Sequence, residues 1–256
     1  MGARTSFKTQ VIVLRSLDYG EADRIVTFYS IDFGKLKGIA KGARRSRRRF
    51  ANNALEPFSC SDTLFSKRSR DTLSLIEDCD ITNPYSDIRE DLEKMLVASY
   101  MVELMDKFTV EGKKNSDLFK LLQEFLNLTN DGDTSEWLLR FYEMRLLKLS
   151  GYEPVLDRCL VCKEPVSNSY IYRFNVKEGG LRCATCCQSN FVSLPVSFET
   201  IKMLLMGKED YPCQGLLLSK QSSEESRSLL VNFIQYLLGK KLKSLGVLSE
   251  VRSMGI

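Results

Sequence analysis

Four cysteines, Cys159, Cys162, Cys183 and Cys186, stand in a C-x2-C-x20-C-x2-C frame in a chain that contains no histidine. Two Cys-x2-Cys knuckles each fill two corners of a tetrahedron, the pattern of one structural Zn²⁺ per chain. Such a site is closed, with no position left for substrate or activated water. The lack of imidazole excludes a Ser-His-Asp triad, a Cys-His pair and an H-E-x-x-H protease. No catalytic residue is therefore assigned, and the chain is read as a non-enzyme.

The residues between the knuckles fit a ribbon. Pro165, Ser167 and Asn168 turn the chain, and Tyr170 to Phe174 alternates as a short strand. Gly179-Gly180 offers a hairpin return that carries Cys183 back toward Cys159. Arg158, Lys163 and Arg182 bring positive charge to the thiolates. Cys187, next to the second knuckle, reads as a spectator, and a Cys183/Cys187 pairing stays open. A zinc deaminase is a competing reading, with Cys162-Lys163-Glu164 followed by a Cys-x-x-Cys pair. Against it, Arg182 rather than proline precedes that pair, Cys159 supplies a fourth thiolate, and the surroundings form a hairpin rather than a helix.

A second chemistry-bearing run lies between Lys35 and Arg49. It holds Lys35, Lys37, Lys41, Arg44, Arg45, Arg47, Arg48 and Arg49, and no acid. Gly38, Gly42 and Ala43 keep the backbone slim, so the run can approach a phosphate chain closely. Lys67, Arg68 and Arg70 form a second cluster. Unpartnered, five arginines within six residues repel one another, which favours a polyanionic ligand. The run lacks the apolar stripe of a membrane-surface helix, so nucleic acid is the expected partner. Tyr29, Phe50 and Phe65 are stacking candidates, each weighed against a place in the core, which is favoured.

The elements that must carry these residues come next. Short strands at Phe7–Leu14, Arg24–Ile31, Leu36–Ala40, Phe58–Phe65 and Thr72–Ile76, with Asp18-Tyr19-Gly20 as a break, predict a small barrel. An OB-fold leads, with an SH3-like barrel as the alternative. Beyond Asn83-Pro84 the spacing turns helical. Ile88 to Val102 and Leu118 to Leu128 recur at helical intervals, the latter with Ser116 and Asp117 as cap candidates. A helix over 135–149 ends at Gly151, and Phe198–Met206 stops at Gly207. Ser222 and Glu225 suggest a capping box opening a further helix. The expected class is thus α+β and multidomain. Residues 1–82 form the OB-fold and 83–154 the first part of a helical domain. Residues 155–190 form the inserted four-cysteine zinc ribbon and 191–256 the second helical part.

Composition agrees. The 256 residues are 43% hydrophobic and carry a net charge of +4. Residues 1–83 hold fifteen Lys/Arg and ten Asp/Glu, so the positive excess belongs to the barrel. No apolar run nears the roughly eighteen residues needed to span a bilayer, and the N-terminus lacks a signal-peptide core. Eight cysteines without secretion signals point to a reducing cytoplasm. Cys60, Cys79 and Cys213 read as small apolar fillers.

The order of parts resembles the bacterial recombination mediator family RecO. Asp18-Tyr19-Gly20-Glu21-Ala22-Asp23-Arg24-Ile25-Val26 is similar to the family's D-Y-x-E-x-D-x-I-V stretch. Lys41-Gly42-Ala43-Arg44 is similar to its K-G-A-R motif, and Leu55-Glu56-Pro57-Phe58 to its L-x-P-F. Two departures are visible: Lys163 stands where members commonly have glycine, and Arg47-Arg48-Arg49 is unusually arginine-rich. The resemblance implies binding of single- and double-stranded DNA, annealing of complementary strands, and help in loading RecA onto gaps coated by single-strand-binding protein. It implies RecR, RecA and the C-terminal tail of single-strand-binding protein as partners, and a cytoplasmic, nucleoid-associated location. A zinc-ribbon scaffold without annealing activity is the other reading.

Overall fold

The computed structural model describes residues 5–46, 48–50, 53–67, 72–187, 193–209 and 219–254. Arg47, Arg68, Arg70 and Cys213 lie outside them. The chain divides into two compact units, Met1–Asp133 with Ser244–Ile256, and Thr134–Lys243.

In the first unit, β1 (Thr5–Tyr19), β2 (Asp23–Ser30), β3 (Gly34–Ala40), β4 (Cys60–Lys67) and β5 (Ser74–Asn83) close into a barrel of order β1-β2-β3-β5-β4. This is the OB-fold. β1 serves both halves, pairing with β4 through Ile12 and with β2 from Val11 onward. A bulge between Val13 and Arg15 bends it. The interior takes alternate residues, among them Val13, Val26, Phe28, Leu36, Phe65 and Ile76. β3 meets β5 in parallel, and a Cβ on Gly38 would come within 2.7 Å of Ile76 Cγ1. Glycine is what allows the two strands to close there. β1 runs on through Asp18 and Tyr19, where a break was expected, because these exposed residues still pair with β2.

The same unit holds α1 (Ser86–Glu90), α2 (Leu92–Phe108), α3 (Ser116–Asn130) and α7 (Lys243–Met254). The single predicted helix from Ile88 to Val102 is two, split at Asp91, whose carboxylate caps the Lys94 N–H at 2.9 Å. Asn115, not Ser116 or Asp117, caps α3 through its side-chain oxygen.

The second unit holds α4 (Glu136–Ser150), β6 (Val155–Cys159), β7 (Tyr172–Asn175), β8 (Gly180–Cys183), β9 (Ser193–Val196), α5 (Phe198–Gly207) and α6 (Lys220–Leu238). α4 runs from its Ser135 cap to Gly151 at φ 83°, as its sequence predicts. It is buried on all sides, including an Arg140–Glu143 ion pair at 3.0 Å. Two expectations change. Gly207 does not stop α5; it lies inside the last turn, where a Cβ would sit 2.0 Å from Phe141 Cδ1. Ser219 rather than Ser222 caps α6. Glu225 turns instead to α5, accepting from the Ser197 N–H at 2.8 Å, the Ser197 hydroxyl at 2.7 Å and the Thr200 hydroxyl at 2.6 Å. Burial opposes ionisation of Glu225, but these donors outweigh it and lower its pKa.

Candidate metal centre and nucleic-acid interface

The ribbon sheet has the order β6-β8-β7-β9. β7 and β8 form the predicted hairpin, closed by the Asn175 side chain accepting from the Lys177 and Glu178 N–H groups and by Gly179 at φ 66°. β6 pairs with β8 in parallel, so the knuckles that follow both strands lie side by side. Gly180 permits this approach: a Cβ there would sit 2.8 Å from the Leu160 side chain. The first knuckle is tightened by the Cys159 N–H to Glu164 O bond at 2.9 Å and the Lys163 N–H to Cys159 O bond at 3.1 Å. Lys163 takes φ 64° to make that turn. The second knuckle closes with the Cys186 N–H donating to Cys183 O at 3.1 Å.

As a result the sulfurs of Cys159, Cys162, Cys183 and Cys186 all lie within 4.8 Å of one another. A tetrahedron with metal–sulfur bonds of about 2.3 Å has sulfur–sulfur edges of roughly 3.8 Å. The Cys162–Cys183 separation is 3.8 Å. The four residues therefore fit a metal ion, and Cys187, half-buried beside them, is not one of the set. The electrostatics agree. Burial opposes ionisation of Cys159, yet backbone N–H groups of Cys183, Cys162 and Val161 outweigh it and bring its pKa down to about 6. At Cys162 the Glu164 N–H favours the thiolate, but the crowd of neighbouring thiols overrides it and pushes the pKa up to about 12. Four thiolates this close need a cation to coexist.

In the first unit, the chain leaving β3 is fastened at both ends. Gly42 donates its N–H to Asp23 Oδ1 at 2.8 Å, and Arg44 donates its N–H to Ala22 O at 3.0 Å. Phe50 is buried in the barrel, and the Cys79 N–H bonds Arg49 O at 3.0 Å. Between these anchors Lys41, Arg44, Arg45, Arg48 and Arg49 are exposed, as is Lys37 on β3. Arg44 reaches Asp18 at 3.9 Å and Arg45 reaches Glu21 at 3.6 Å, both in solvent. Arg49 is held by Lys41 O and Ser46 Oγ and lies over the Phe50 ring.

Lys35 goes elsewhere. Its ammonium bonds Asp106 O at 2.6 Å and Asp106 Oδ1 at 3.3 Å, and its side chain is only 12% exposed. Burial opposes ionisation of Asp106, but Lys107 and Lys35 outweigh it and lower its pKa. Lys67 is half-buried at the end of β4. The aromatic candidates Tyr29, Phe50 and Phe65 are core residues. Tyr29, whose hydroxyl donates to Asn115 O, has its pKa pushed up to about 12 by burial. Tyr19, expected at a break in the first strand, is an exposed ring at the end of β1, paired with Asp23.

Two family models cover the chain: one described as "Recombination protein O N terminal" matches residues 3–85, and one described as "Recombination protein O C terminal" matches residues 89–246. A "DNA repair protein RecO" of Syntrophus aciditrophicus is 48% identical over the full length of both chains. Proteins of the same name from Desulforamulus reducens and Geobacter metallireducens are 36% and 34% identical. The first alignment covers 93% of this chain and 92% of the relative, the second 96% and 98%. The chain belongs to the RecO family. Its three RecO-like motifs meet in the structure. Asp18 and Glu56 both hold Arg24, at 3.0 and 2.5 Å, while Asp18 also faces Arg44 and Asp23 fastens Gly42. Among the described residues no helix is long and apolar enough to cross a membrane.

Proposed function

We propose that this RecO-family chain is a cytoplasmic recombination mediator that binds single- and double-stranded DNA, anneals complementary strands and assists RecA loading on DNA coated by single-strand-binding protein. The observation that supports this best is the fastened basic loop on the barrel, with Lys37, Lys41, Arg44, Arg45 and Arg48 exposed around it. Lys35 is left out of the proposed interface because its ammonium is taken by Asp106. Annealing two polyanions requires neutralisation of both, and these side chains supply it without covalent chemistry. RecR, RecA and the tail of single-strand-binding protein are proposed as partners on family grounds. The experiment is annealing of two complementary oligonucleotides without ATP, followed by fluorescence quenching across a salt series. Acceleration that fades with salt supports the reading. No acceleration at any salt refutes it and leaves a zinc-ribbon scaffold.

Cys159, Cys162, Cys183 and Cys186 are proposed to hold one structural Zn²⁺. When bound, the ion neutralises the thiolates and fastens the two knuckles. Counting Cys159 among four sulfur donors also argues against the deaminase reading, which needs an open position. Cys162→Ser is expected to lose zinc and lower the thermal midpoint, while Cys187→Ser keeps full zinc content by elemental analysis. Equal zinc in both variants defeats this ligand assignment.

A further inference from the structure

The cysteine cluster leaves one sulfur open to solvent. Cys159 and Cys183 are buried and Cys186 is half-buried, while Cys162 is the one exposed cysteine among the described residues. The turn around it, from Val161 to Pro165, is exposed at every residue. A small oxidant therefore reaches Cys162 without any opening of the ribbon. Oxidation of a cysteine follows its exposure and its thiolate character. A sulfur that ligates a metal ion is a thiolate outright.

Distance sets which thiolate answers next. Cys183 Sγ lies 3.8 Å from Cys162 Sγ. A disulfide needs about 2.05 Å, so the two sulfurs must close by roughly 1.8 Å. Cys183 is the fixed partner: its N–H donates to Cys159 Sγ at 3.4 Å, and Thr185 Oγ1 lies 3.0 Å from its sulfur. Cys162, on the exposed turn, is the one that swings.

We infer that Cys162 and Cys183 form a peroxide-sensitive pair that exchanges the metal tie between the two knuckles for a covalent one. This rests on the zinc-ligand reading and goes beyond it. The Cys162 sulfur attacks one oxygen of hydrogen peroxide, the O–O bond breaks, and Cys162 becomes a sulfenic acid. The other oxygen leaves as hydroxide and takes a proton from solvent. The Cys183 thiolate then attacks the Cys162 sulfur, the S–S bond forms, and a second hydroxide leaves and is protonated. Two thiolates have lost two electrons together, and one peroxide has become two waters. The ribbon then keeps only Cys159 and Cys186 as donors, too few to complete a tetrahedron. Because Cys162 belongs to the first knuckle and Cys183 to the second, the knuckles stay joined. A link within one knuckle, Cys159 to Cys162, would empty the site and leave them separate. The cross-link makes the loss of metal reversible, since a thiol reductant restores four thiolates in a ribbon that has kept its fold.

The test treats the zinc-loaded full chain with hydrogen peroxide. Released zinc is read with a metallochromic dye, and the disulfide is mapped by peptide mass after alkylation of the remaining thiols. The expected result is release of the bound zinc, a Cys162–Cys183 link and an alkylated Cys187. Dithiothreitol followed by added zinc should restore the full zinc content, and Cys187→Ser should release zinc at the parental rate. The thermal midpoint of the oxidised chain should lie above that of the reduced chain stripped of zinc by a chelator; a midpoint no higher would refute the covalent tie. Zinc retained in excess peroxide, a link between any other pair, or Cys162 oxidised to a sulfinic acid without a link overturns the inference. A chain that holds no zinc before peroxide is added is a different result, and it brings down the zinc-ligand reading itself.

Discussion

The salt dependence of binding turns the loop geometry into a number. Six described cations on and beside the loop are exposed: Lys37, Lys41, Arg44, Arg45, Arg48 and Arg49. Arg49 is committed to Lys41 O, Ser46 Oγ and the Phe50 ring, which leaves five. Asp18 and Glu21 do not remove Arg44 and Arg45 from this set, because ion pairs this exposed are worth little and yield to a phosphate. Five phosphate contacts on a single strand give a log–log slope of about −3.5. Raising monovalent salt from 50 to 200 mM then weakens binding about a hundredfold. Replacing Arg44, Arg45 and Arg48 together by alanine reduces the slope to about −1.4, and the same change in salt costs only about sevenfold. Anisotropy titrations at four or five salt concentrations measure both slopes. Lys35→Ala is the internal control. It leaves the slope unchanged but destabilises the fold by about 1–3 kcal/mol, because Asp106 loses a charged donor in a half-buried setting. A triple variant with the parental slope, or a Lys35→Ala slope lower by one contact, would refute this placement of the phosphates.

Lys163→Gly should raise the thermal midpoint. Lys163 adopts φ 64°, which costs a non-glycine residue about 1–2 kcal/mol, while glycine's extra unfolded-state freedom returns about 0.4–1 kcal/mol of that; a lower midpoint would contradict the strain argument. Glu225→Gln should cost about 1.5–3 kcal/mol at neutral pH by weakening its three hydrogen bonds. Because the folded pKa of Glu225 is depressed, its contribution is complete above the unfolded carboxyl range near pH 4 and disappears as pH falls through the folded value. The variant's melting temperature should therefore drop less than the parent's between pH 5 and pH 2, and parallel curves would rule the contribution out.

Much of this architecture was legible because it is written in local signals. Each cysteine knuckle is a turn of a few residues, and the barrel strands announce themselves by alternation. What escaped depends on partners distant in sequence. Lys35 and Lys37 belong to the same charge run, yet only a folded barrel shows that α2 lies beside the first and solvent beside the second. Ser222 and Glu225 have capping-box spacing, but Glu225 finds better donors at the start of α5, where Ser197 lies twenty-eight residues earlier in the chain. Tyr19 looked like part of a turn because its neighbours Asp18 and Gly20 favour turns, whereas pairing with β2 keeps it in a strand. Gly207 carried a stop signal by type while its real constraint is the Phe141 ring. In each case residue type was read correctly and the tertiary neighbour decided its use.

The acids packed against the loop give the sharpest separation between charge and geometry. Asp18, Glu21 and Asp23 sit beside arginines that are proposed to meet phosphates, and by charge alone each acid weakens DNA binding. Asp23, however, accepts the Gly42 N–H at 2.8 Å, next to a second tether from Arg44 N–H to Ala22 O. Gly42 has φ 66°, a conformation that an unfastened glycine holds no more readily than its alternatives. Asp23→Ala removes an acid and a tether together, and the two effects have opposite signs. If charge dominates, binding tightens. If the tether dominates, the cations lose their common orientation and the chain must order the loop on binding, at a cost of about 1 kcal/mol or roughly fivefold in affinity. The tether should win, because Asp23 is still partly exposed and its charge is partly screened at physiological salt, whereas the ordering cost is not. The salt slope stays at about −3.5, since the number of cations is unchanged. Tighter binding by Asp23→Ala would show that the loop needs no fixed shape and that its charge alone accounts for its contribution.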